Sequence, residues 1–177
     1  VPILWGGRRF ELTSDPRAPG VLSAIALAIA CLLSGLAIES ADGMSISGVI
    51  QVTGFSRFMT MVFTAALAIT AIASIYRIPS TRLPLEDLID PDVSVESSLM
   101  DNRRQVDLHI LLLMVALGMS LMALSSDLFF LIVCLELASM ASYVLVGFHK
   151  ETEVGGEAGA KYFIVGSIAS ATGIYGM

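Results

Sequence analysis

Charged residues are scarce in this chain. Only 15% of its 177 residues are Asp, Glu, Lys or Arg, whereas 55% are hydrophobic. A soluble domain carries about a quarter charged residues, and the apolar residues here are concentrated in long runs. The composition therefore excludes an ordinary soluble domain. The net charge of −6 comes without a basic patch, so we expect no nucleic acid as a partner.

Cysteine is equally rare. The two cysteines, Cys31 and Cys134, both lie inside apolar runs, where a disulfide would be unlike the framework of a secreted protein. Neither has a Cys or His at metal-ligand spacing. No phosphate-binding glycine loop, metal cluster or catalytic nucleophile motif is present. We therefore expect free thiols, and neither a metal nor a cofactor held by this chain.

Long apolar runs are what the chain has in abundance. A bilayer core requires about 20 apolar residues at 1.5 Å rise each. The runs predict spans at about residues 21–38, 58–76, 108–126, 128–148 and 159–177. The predicted fold class is all-α, a polytopic transmembrane helix bundle that makes residues 1–177 a single membrane domain. Because a span does not end in mid-bilayer with its carbonyls unsatisfied, we expect the chain to be a fragment of a larger fold.

The segments between the runs are polar. After Asp42-Gly43, serines alternate with apolar residues, which predicts a short extended or hairpin segment lying on the membrane. Residues 77–107 hold three prolines and seven carboxylates and are expected to be irregular or a surface helix. Asp127 stands at the turn before the fourth span and is predicted to cap it.

The distribution of Lys and Arg predicts the orientation of the spans. If the spans alternate, residues 1–20, 77–107 and 149–158 lie on one face of the membrane, and Arg57 lies on the other. The first face holds Arg8, Arg9, Arg17, Arg77, Arg82, Arg103, Arg104 and Lys150. Positive loops stay on the cytoplasmic side. The sequence therefore predicts a multi-pass protein of the cell membrane with loops 77–107 and 149–158 in the cytoplasm.

Glu136 is the residue that points most directly to a function. It lies near the middle of the fourth span, where an ionised carboxylate costs several kcal/mol unless it is paired or hydrated. Carboxylates at this depth usually belong to a proton or ion path. The alternative is a structural Glu that holds a neighbouring helix by a hydrogen bond.

Other polar residues of the spans each have two interpretations. Lys161, near the start of the fifth span, is either a buried base that passes a proton or a side chain that extends back to the surface. His109 and His149 are candidates for proton entry, although each is expected to be an interfacial histidine. The small residues of the fourth and fifth spans are interpreted as helix packing; they are Ser139, Ser142, Gly166, Ser170 and Gly173.

The end of the chain resembles a known family. The stretch "LELASMASYVLVGF" around Glu136, followed by "EAGAKYF" and a small-residue helix ending in "YGM", resembles the antiporter-like subunit N (mitochondrial subunit 2) of respiratory complex I. The earlier "VTGFSRF" is similar to the segment before the third span of that family. The resemblance covers most of the chain and is strongest after Leu108.

The resemblance implies a function and a setting. The five spans correspond to spans two to six of the family, Glu136 to its essential glutamate and Lys161 to the lysine of its sixth span. The chain is then expected to couple proton pumping to electron transfer in an NADH or F420H2:quinone oxidoreductase complex. Quinone, flavin and iron–sulfur clusters are expected on other subunits, and the partners are those subunits, the bilayer and protons.

Two alternatives remain open at this point. One is a subunit of a multi-subunit cation/proton antiporter, which shares the fold but has no redox partner. The other is a non-transporting structural membrane subunit. The mid-membrane charge of Glu136 argues against a purely structural subunit, because a scaffold gains little from it.

Overall fold

The computed structural model describes residues 18–36, 43–75, 91–148 and 153–176. Within these residues the chain is almost entirely helical, as predicted, with one short hairpin between the first two helices. The elements in chain order are α1 (Ala18–Leu36), β1 (Met44–Ile46), β2 (Ile50–Val52), α2 (Gly54–Ile75), α3 (Pro91–Leu124), α4 (Leu128–Val146) and α5 (Glu153–Tyr175).

Four stretches are long and apolar enough to cross a membrane. They have mean hydropathies of 2.1 to 2.2, and they are Ala18–Leu36, Gly54–Ile75, Arg104–Leu124 and Leu128–Val146. Each agrees with a predicted span to within four residues. At most 28% of any of these windows is buried within the chain, so most of their apolar side chains are left for lipid or further helices. The helical form satisfies the backbone groups that lipid cannot.

The last helix is more polar than the four membrane-crossing stretches. The helix α5 begins six residues before the predicted span, at Glu153. It includes Glu157 and Lys161 together with several small residues, and it does not reach the hydropathy of the four stretches above. Its helical structure is as predicted, whereas its crossing of the membrane stays a prediction.

The helix α3 is much longer than its membrane-crossing part. It has 34 residues and begins at Pro91, a residue favoured at the first helical position because it lacks an N–H that would have no partner there. The segment after Pro91, expected to be irregular or a surface helix, is helical and continuous with the span. Residues 76–90 lie outside the described part of the chain.

The first three helices form a closely packed group. Their shared core consists of four alanines and two leucines. These are Ala24 and Leu27 of α1, Ala68 and Ala71 of α2, and Leu112 and Ala116 of α3. Small side chains let helix backbones approach closely. The helix α4 packs on the other side of α3, where a Cβ added to Gly118 would lie 2.9 Å from the carbonyl oxygen of Cys134. Both cysteines are free, as expected.

The hairpin is hydrogen-bonded to the turn between α3 and α4. Strands β1 and β2 pair antiparallel with Ser45 opposite Gln51, and their turn places Ser47 and Gly48 at φ 55° and 71°. The backbone N–H of Ser126 donates to the carbonyl of Val49 at 2.9 Å, and its hydroxyl donates to the carbonyl of Gly48 at 2.8 Å. The predicted hairpin is thus confirmed. We call this side of the bundle the hairpin end, and the other side the opposite end.

The turn between α3 and α4 is capped as predicted. Asp127 is extended (φ −106°, ψ 134°), and its Oδ2 accepts a hydrogen bond from the N–H of Phe130 at 3.1 Å. The carboxylate satisfies one of the free N–H groups at the start of α4 and complements its dipole. The cap fixes where α4 begins, and so the depth at which Glu136 lies.

Candidate functional site

Glu136 is the ninth of the 19 residues of α4. At 1.5 Å per residue it lies about 12 Å from the start of the helix. Its side chain is half-buried, and its Oε1 is buried without a hydrogen-bond partner among the described residues. A charged oxygen without a partner is costly in such a place, which makes Glu136 the candidate functional residue of α4.

A gap of about 250 Å³ lies beside Glu136, between α4 and α5. From α4 it is lined by Leu131, Ile132, Leu135 and Glu136, and from α5 by Ala169, Ser170, Gly173 and Ile174. Ser170 contributes the one hydroxyl of this lining. A Cβ added to Gly173 would meet nothing within 4 Å. The small residues of α5 therefore leave room at the carboxyl group for a side chain or other group to approach.

The two helices are held together on one side of this gap. The ring of Tyr143 lies over Gly166, in the space that a Cβ there would occupy. The same ring makes edge-to-face contacts with Tyr162 and Phe163, at centroid distances of 5.1 and 5.7 Å. Nearer the opposite end, a Cβ on Gly159 would lie 2.8 Å from the Cα of Gly147. Close packing thus occurs between Glu136 and the opposite end.

The predicted packing role of the small residues is correct only in part. Gly166 makes the close contact with Tyr143 described above. Ser170 and Gly173 instead line the gap. The hydroxyls of Ser139 and Ser142 donate to carbonyls of their own helix, at 2.8 Å from Leu135 and 2.8 Å from Ala138 respectively.

Lys161 lies apart from Glu136. Its ammonium group is 2.5 Å from a carboxylate oxygen of Glu157, one turn earlier in α5, and the two side chains are 72% and 64% exposed. The residues of α5 beside Glu136 begin at Ala169, eight residues further on, or about 12 Å along the helix axis. The structure therefore does not bring the two predicted site residues together, and Lys161 lies near the opposite end.

His109 is enclosed by neighbouring helices, whereas its position near the membrane interface stays a prediction. Its side chain is 2% exposed, because Gly20 of α1 leaves room for the ring: a Cβ there would lie 3.0 Å from Nε2. Nε2 lies 3.2 Å from the Ser74 hydroxyl of α2, and Nδ1 lies 2.8 Å from the Gln105 carbonyl. His149, the other histidine considered, lies outside the described residues.

Two further buried polar groups were missed by the sequence analysis. Nη1 of Arg57 and Oε1 of Gln105 are buried and have no hydrogen-bond partner within the described part of the chain. Arg57 had been used only as evidence for orientation. The spacing of Gln105 and His109 places both on one face of α3, which is a signal that the sequence contained. In the described ranges, no three His, Cys, Asp or Glu side chains are grouped as metal ligands.

Comparison with known proteins bears on this region directly. Residues 125–177, which include Glu136 and α5, match the family model described as NADH:quinone oxidoreductase/Mrp antiporter, TM. The chain is also 34% identical over 148 residues to NADH-quinone oxidoreductase subunit N of Gluconacetobacter diazotrophicus, covering 83% of this chain. The resemblance to the antiporter-like subunit N is confirmed.

Other relatives extend the likeness along the chain. NADH-quinone oxidoreductase subunit N 1 of Solibacter usitatus is 33% identical over 89% of this chain, and subunit N of Methylobacterium nodulans is 29% identical over 99% of it. The chain spans 32% or less of the length of these three antiporter-like relatives. No solved structure matches it significantly. Together with the four apolar helices, the family resemblance makes this chain part of a membrane protein.

Proposed function

We propose that this chain is part of a proton-translocating membrane subunit of an NADH:quinone oxidoreductase-type complex, and that Glu136 carries a proton in it. The observation that supports this most is the buried, unpartnered Oε1 of Glu136 at mid-helix beside the gap. A structural glutamate would be expected to hold a neighbouring helix through a hydrogen bond. The described residues supply no such partner.

The chemistry of the proposal follows from this isolation. When protonated, Glu136 is neutral and tolerated in an apolar setting. When ionised, it requires a nearby positive charge, since a carboxylate at this depth is otherwise too costly. A cation that approaches through the gap and then withdraws would therefore make Glu136 release and regain a proton. This alternation is the step that a proton pump needs.

Lys161 is proposed as the second charged group of this path. It is the one Lys or Arg in α4 and α5, and its exposed ammonium group is accessible to other parts of a larger protein. Its distance from Glu136 along α5 means that the two groups act at different levels of the membrane. Lys161 would contribute by exchanging its ion-pair partner, from Glu157 to another carboxylate.

The setting of the chain is part of the same proposal. Electron transfer takes place on other subunits, which hold the flavin, iron–sulfur clusters and quinone, while this chain holds no cofactor. Its partners are neighbouring membrane subunits and lipid. The excess of Lys and Arg in residues 77–107 and 149–158 supports a cytoplasmic location for the opposite end, in the cell membrane.

A cation/proton antiporter is the second candidate. The description of the matching family model includes the Mrp antiporter as well as the oxidoreductase, and Glu136 would serve either system. The two functions differ in their energy source. Proton movement that requires quinone reduction supports the oxidoreductase, whereas movement driven by a sodium or potassium gradient alone supports the antiporter.

The decisive experiment replaces Glu136 in the full-length subunit within the assembled complex. Glu136→Gln keeps the shape but cannot ionise, and we expect it to lower quinone-coupled proton pumping at least tenfold, about 1.4 kcal/mol in a barrier. Glu136→Asp keeps the ionisable group and should retain much of the activity. Native gels establish that each variant assembles.

A matched control neutralises the other carboxylate associated with α4. Asp127→Asn removes the charge of the exposed N-cap residue but retains capping, since Asn caps as well as Asp. Pumping by this variant should be close to that of the wild type. Full pumping by an assembled Glu136→Gln variant would instead assign Glu136 a structural role and overturn the proposal.

A further inference from the structure

His109 occupies a closed junction of three helices at a distance from the proposed path of Glu136. Its neighbours are Gly20 of α1 and Ser74 and Ile75 of α2, and its side chain is 2% exposed. Histidine is the side chain that changes charge near neutral pH. A fully buried histidine with a hydrogen-bond partner at both ring nitrogens is therefore a potential proton-binding group.

The hydrogen bonds determine which nitrogen exchanges its proton. The carbonyl of Gln105, 2.8 Å from Nδ1, can only accept, so Nδ1 carries a proton in every state. Nε2 faces the Ser74 hydroxyl at 3.2 Å, which can either donate or accept. The variable proton of His109 is thus the one at Nε2.

Ser74 has a second acceptor for its hydroxyl proton. Its Oγ lies 2.7 Å from the carbonyl oxygen of Ala71, to which it donates. When the Ser74 hydroxyl donates its hydrogen bond to that carbonyl, Oγ is free to accept a hydrogen bond from a protonated Nε2. With the hydroxyl turned toward Nε2, the neutral ring is satisfied instead. Both charge states of His109 therefore find complete hydrogen bonding without movement of the helices.

We propose that His109 is a second proton-binding site of this chain, with the Ser74 hydroxyl as the group that turns when the proton binds. A proton from water at the opposite end adds to Nε2, the hydroxyl proton of Ser74 turns from Nε2 to the Ala71 carbonyl, and no other bond changes. The buried amide oxygen of Gln105 lies one helical turn, about 6 Å, nearer that end. Polar groups thus continue from His109 toward the surface.

Among the residues whose side chains the structure describes, few charged or titratable groups lie on the helices that enclose His109. The helix α1 has no charged side chain, and its Cys31 lies eleven residues beyond Gly20, about 16 Å along the axis. The one charged residue of α2 is Arg57, in its first turn at the hairpin end. On α3 itself, Arg104 and Asp107 line a cavity beside α4, away from α1 and α2.

The test uses infrared spectroscopy on the full-length subunit with ¹⁵N in its histidine rings, so that it requires no turnover. Histidine titrates between about pH 5 and 8. The pH-difference spectrum of the wild type should contain an imidazole signal that disappears in His109→Gln. If the spectra of wild type and variant are the same over this range, His109 does not bind a proton and the proposal is wrong.

A second variant keeps the test decisive if His109→Gln fails to fold. Ser74→Ala removes the proposed partner of Nε2 from both charge states. Because a hydrogen bond to the charged ring is about twice as strong as one to the neutral ring, the His109 titration midpoint should be displaced by about 0.5 pH unit or more. Ser34→Ala, which removes a hydroxyl bonded to the carbonyl of Cys31 at 2.8 Å, should leave the midpoint unchanged. An unchanged midpoint in Ser74→Ala overturns the role of the hydroxyl. Neither spectroscopic result depends on proton pumping by Glu136 variants.

Discussion

The junction around His109 and the gap around Glu136 differ in the hydrogen-bond partners and the space that they provide for a titratable side chain. At the junction, three helices enclose the histidine and both of its nitrogens have partners within the chain. At the gap, α5 presents small side chains, and the carboxyl oxygen has no partner among the described residues. A polar group whose partners are supplied locally can be held in place by three helices. A polar side chain without local partners depends on a charged group that approaches it and then withdraws.

The largest effect that would test this comparison comes from filling the gap. Gly173→Leu places a bulky side chain beside Glu136, where a Cβ now meets nothing within 4 Å. We expect proton pumping by the assembled complex to fall about tenfold or more, some 1.4 kcal/mol, because no charged group can then approach the carboxyl. Proton uptake by vesicles during quinone reduction provides the measurement.

A smaller substitution at the same position is the control. Gly173→Ala leaves most of the gap open and should pump as the wild type does. Normal pumping by an assembled Gly173→Leu variant would mean that the gap has no part in proton transfer.

The next effect is a loss of stability at the junction. Gly20→Ala adds a Cβ that would lie 2.7 Å from Ile75 and 3.0 Å from Nε2 of His109, a ring held at both nitrogens. We expect the free energy of unfolding to fall by about 1–3 kcal/mol, the usual cost of overpacking. Thermal unfolding of the full-length subunit measures this loss.

Gly156→Ala is the matched control for that substitution, because a Cβ there meets nothing within 4 Å. It should leave stability unchanged or raise it slightly, by up to about 1 kcal/mol from helix propensity. Equal melting temperatures for Gly20→Ala and Gly156→Ala would show that the junction is no more tightly packed than the surface of α5.

The smallest effect on stability is expected at Lys161. Its ion pair with Glu157 is exposed, and such helical pairs contribute no more than about 0.5 kcal/mol. Lys161→Ala should therefore barely change the melting temperature, while lowering proton pumping less than Glu136→Gln does. A variant with normal pumping would indicate that Lys161 merely extends to the membrane surface and has no part in proton transfer.

The bounds of the helices were easier to predict from the sequence than the surroundings of the site residues. The apolar runs placed α1, α2 and α4 within a few residues of their observed bounds, because the thickness of a bilayer sets the length of a span. Asp127 was recognised as a cap from its position at the turn before the span. The start of α3 at Pro91 was not located, since the carboxylates and prolines before the span carry no apolar pattern from which a helix could be read.

The environment of the polar side chains was harder to predict. The position of His109 near the end of its span was predicted, but its enclosure was not, since the missing side chain of Gly20, a residue 89 positions earlier, makes room for the ring between helices. Lys161 and Glu136 are predicted to belong to one path, but which residues of α5 lie beside Glu136, namely 169–174, was not predicted. Such contacts depend on how one helix is rotated against the next, which apolar spacing does not specify when a helix is apolar on every side.

The amino-acid sequence by itself determined the all-α class, the positions of four spans, the cap at Asp127 and the mid-span depth of Glu136. Each of these depends on local chemistry: apolar length, turn residues and a charge counted along one helix. The tertiary structure alone decided that His109 is enclosed and fully bonded, that Glu136 faces an open gap and that Lys161 lies about 12 Å along α5 from the residues beside Glu136. These features arise from contacts between residues far apart in the chain. The absence of a side chain at Gly20 and at Gly118 decides what can pack there: the His109 ring at Gly20 and the backbone of α4 at Gly118.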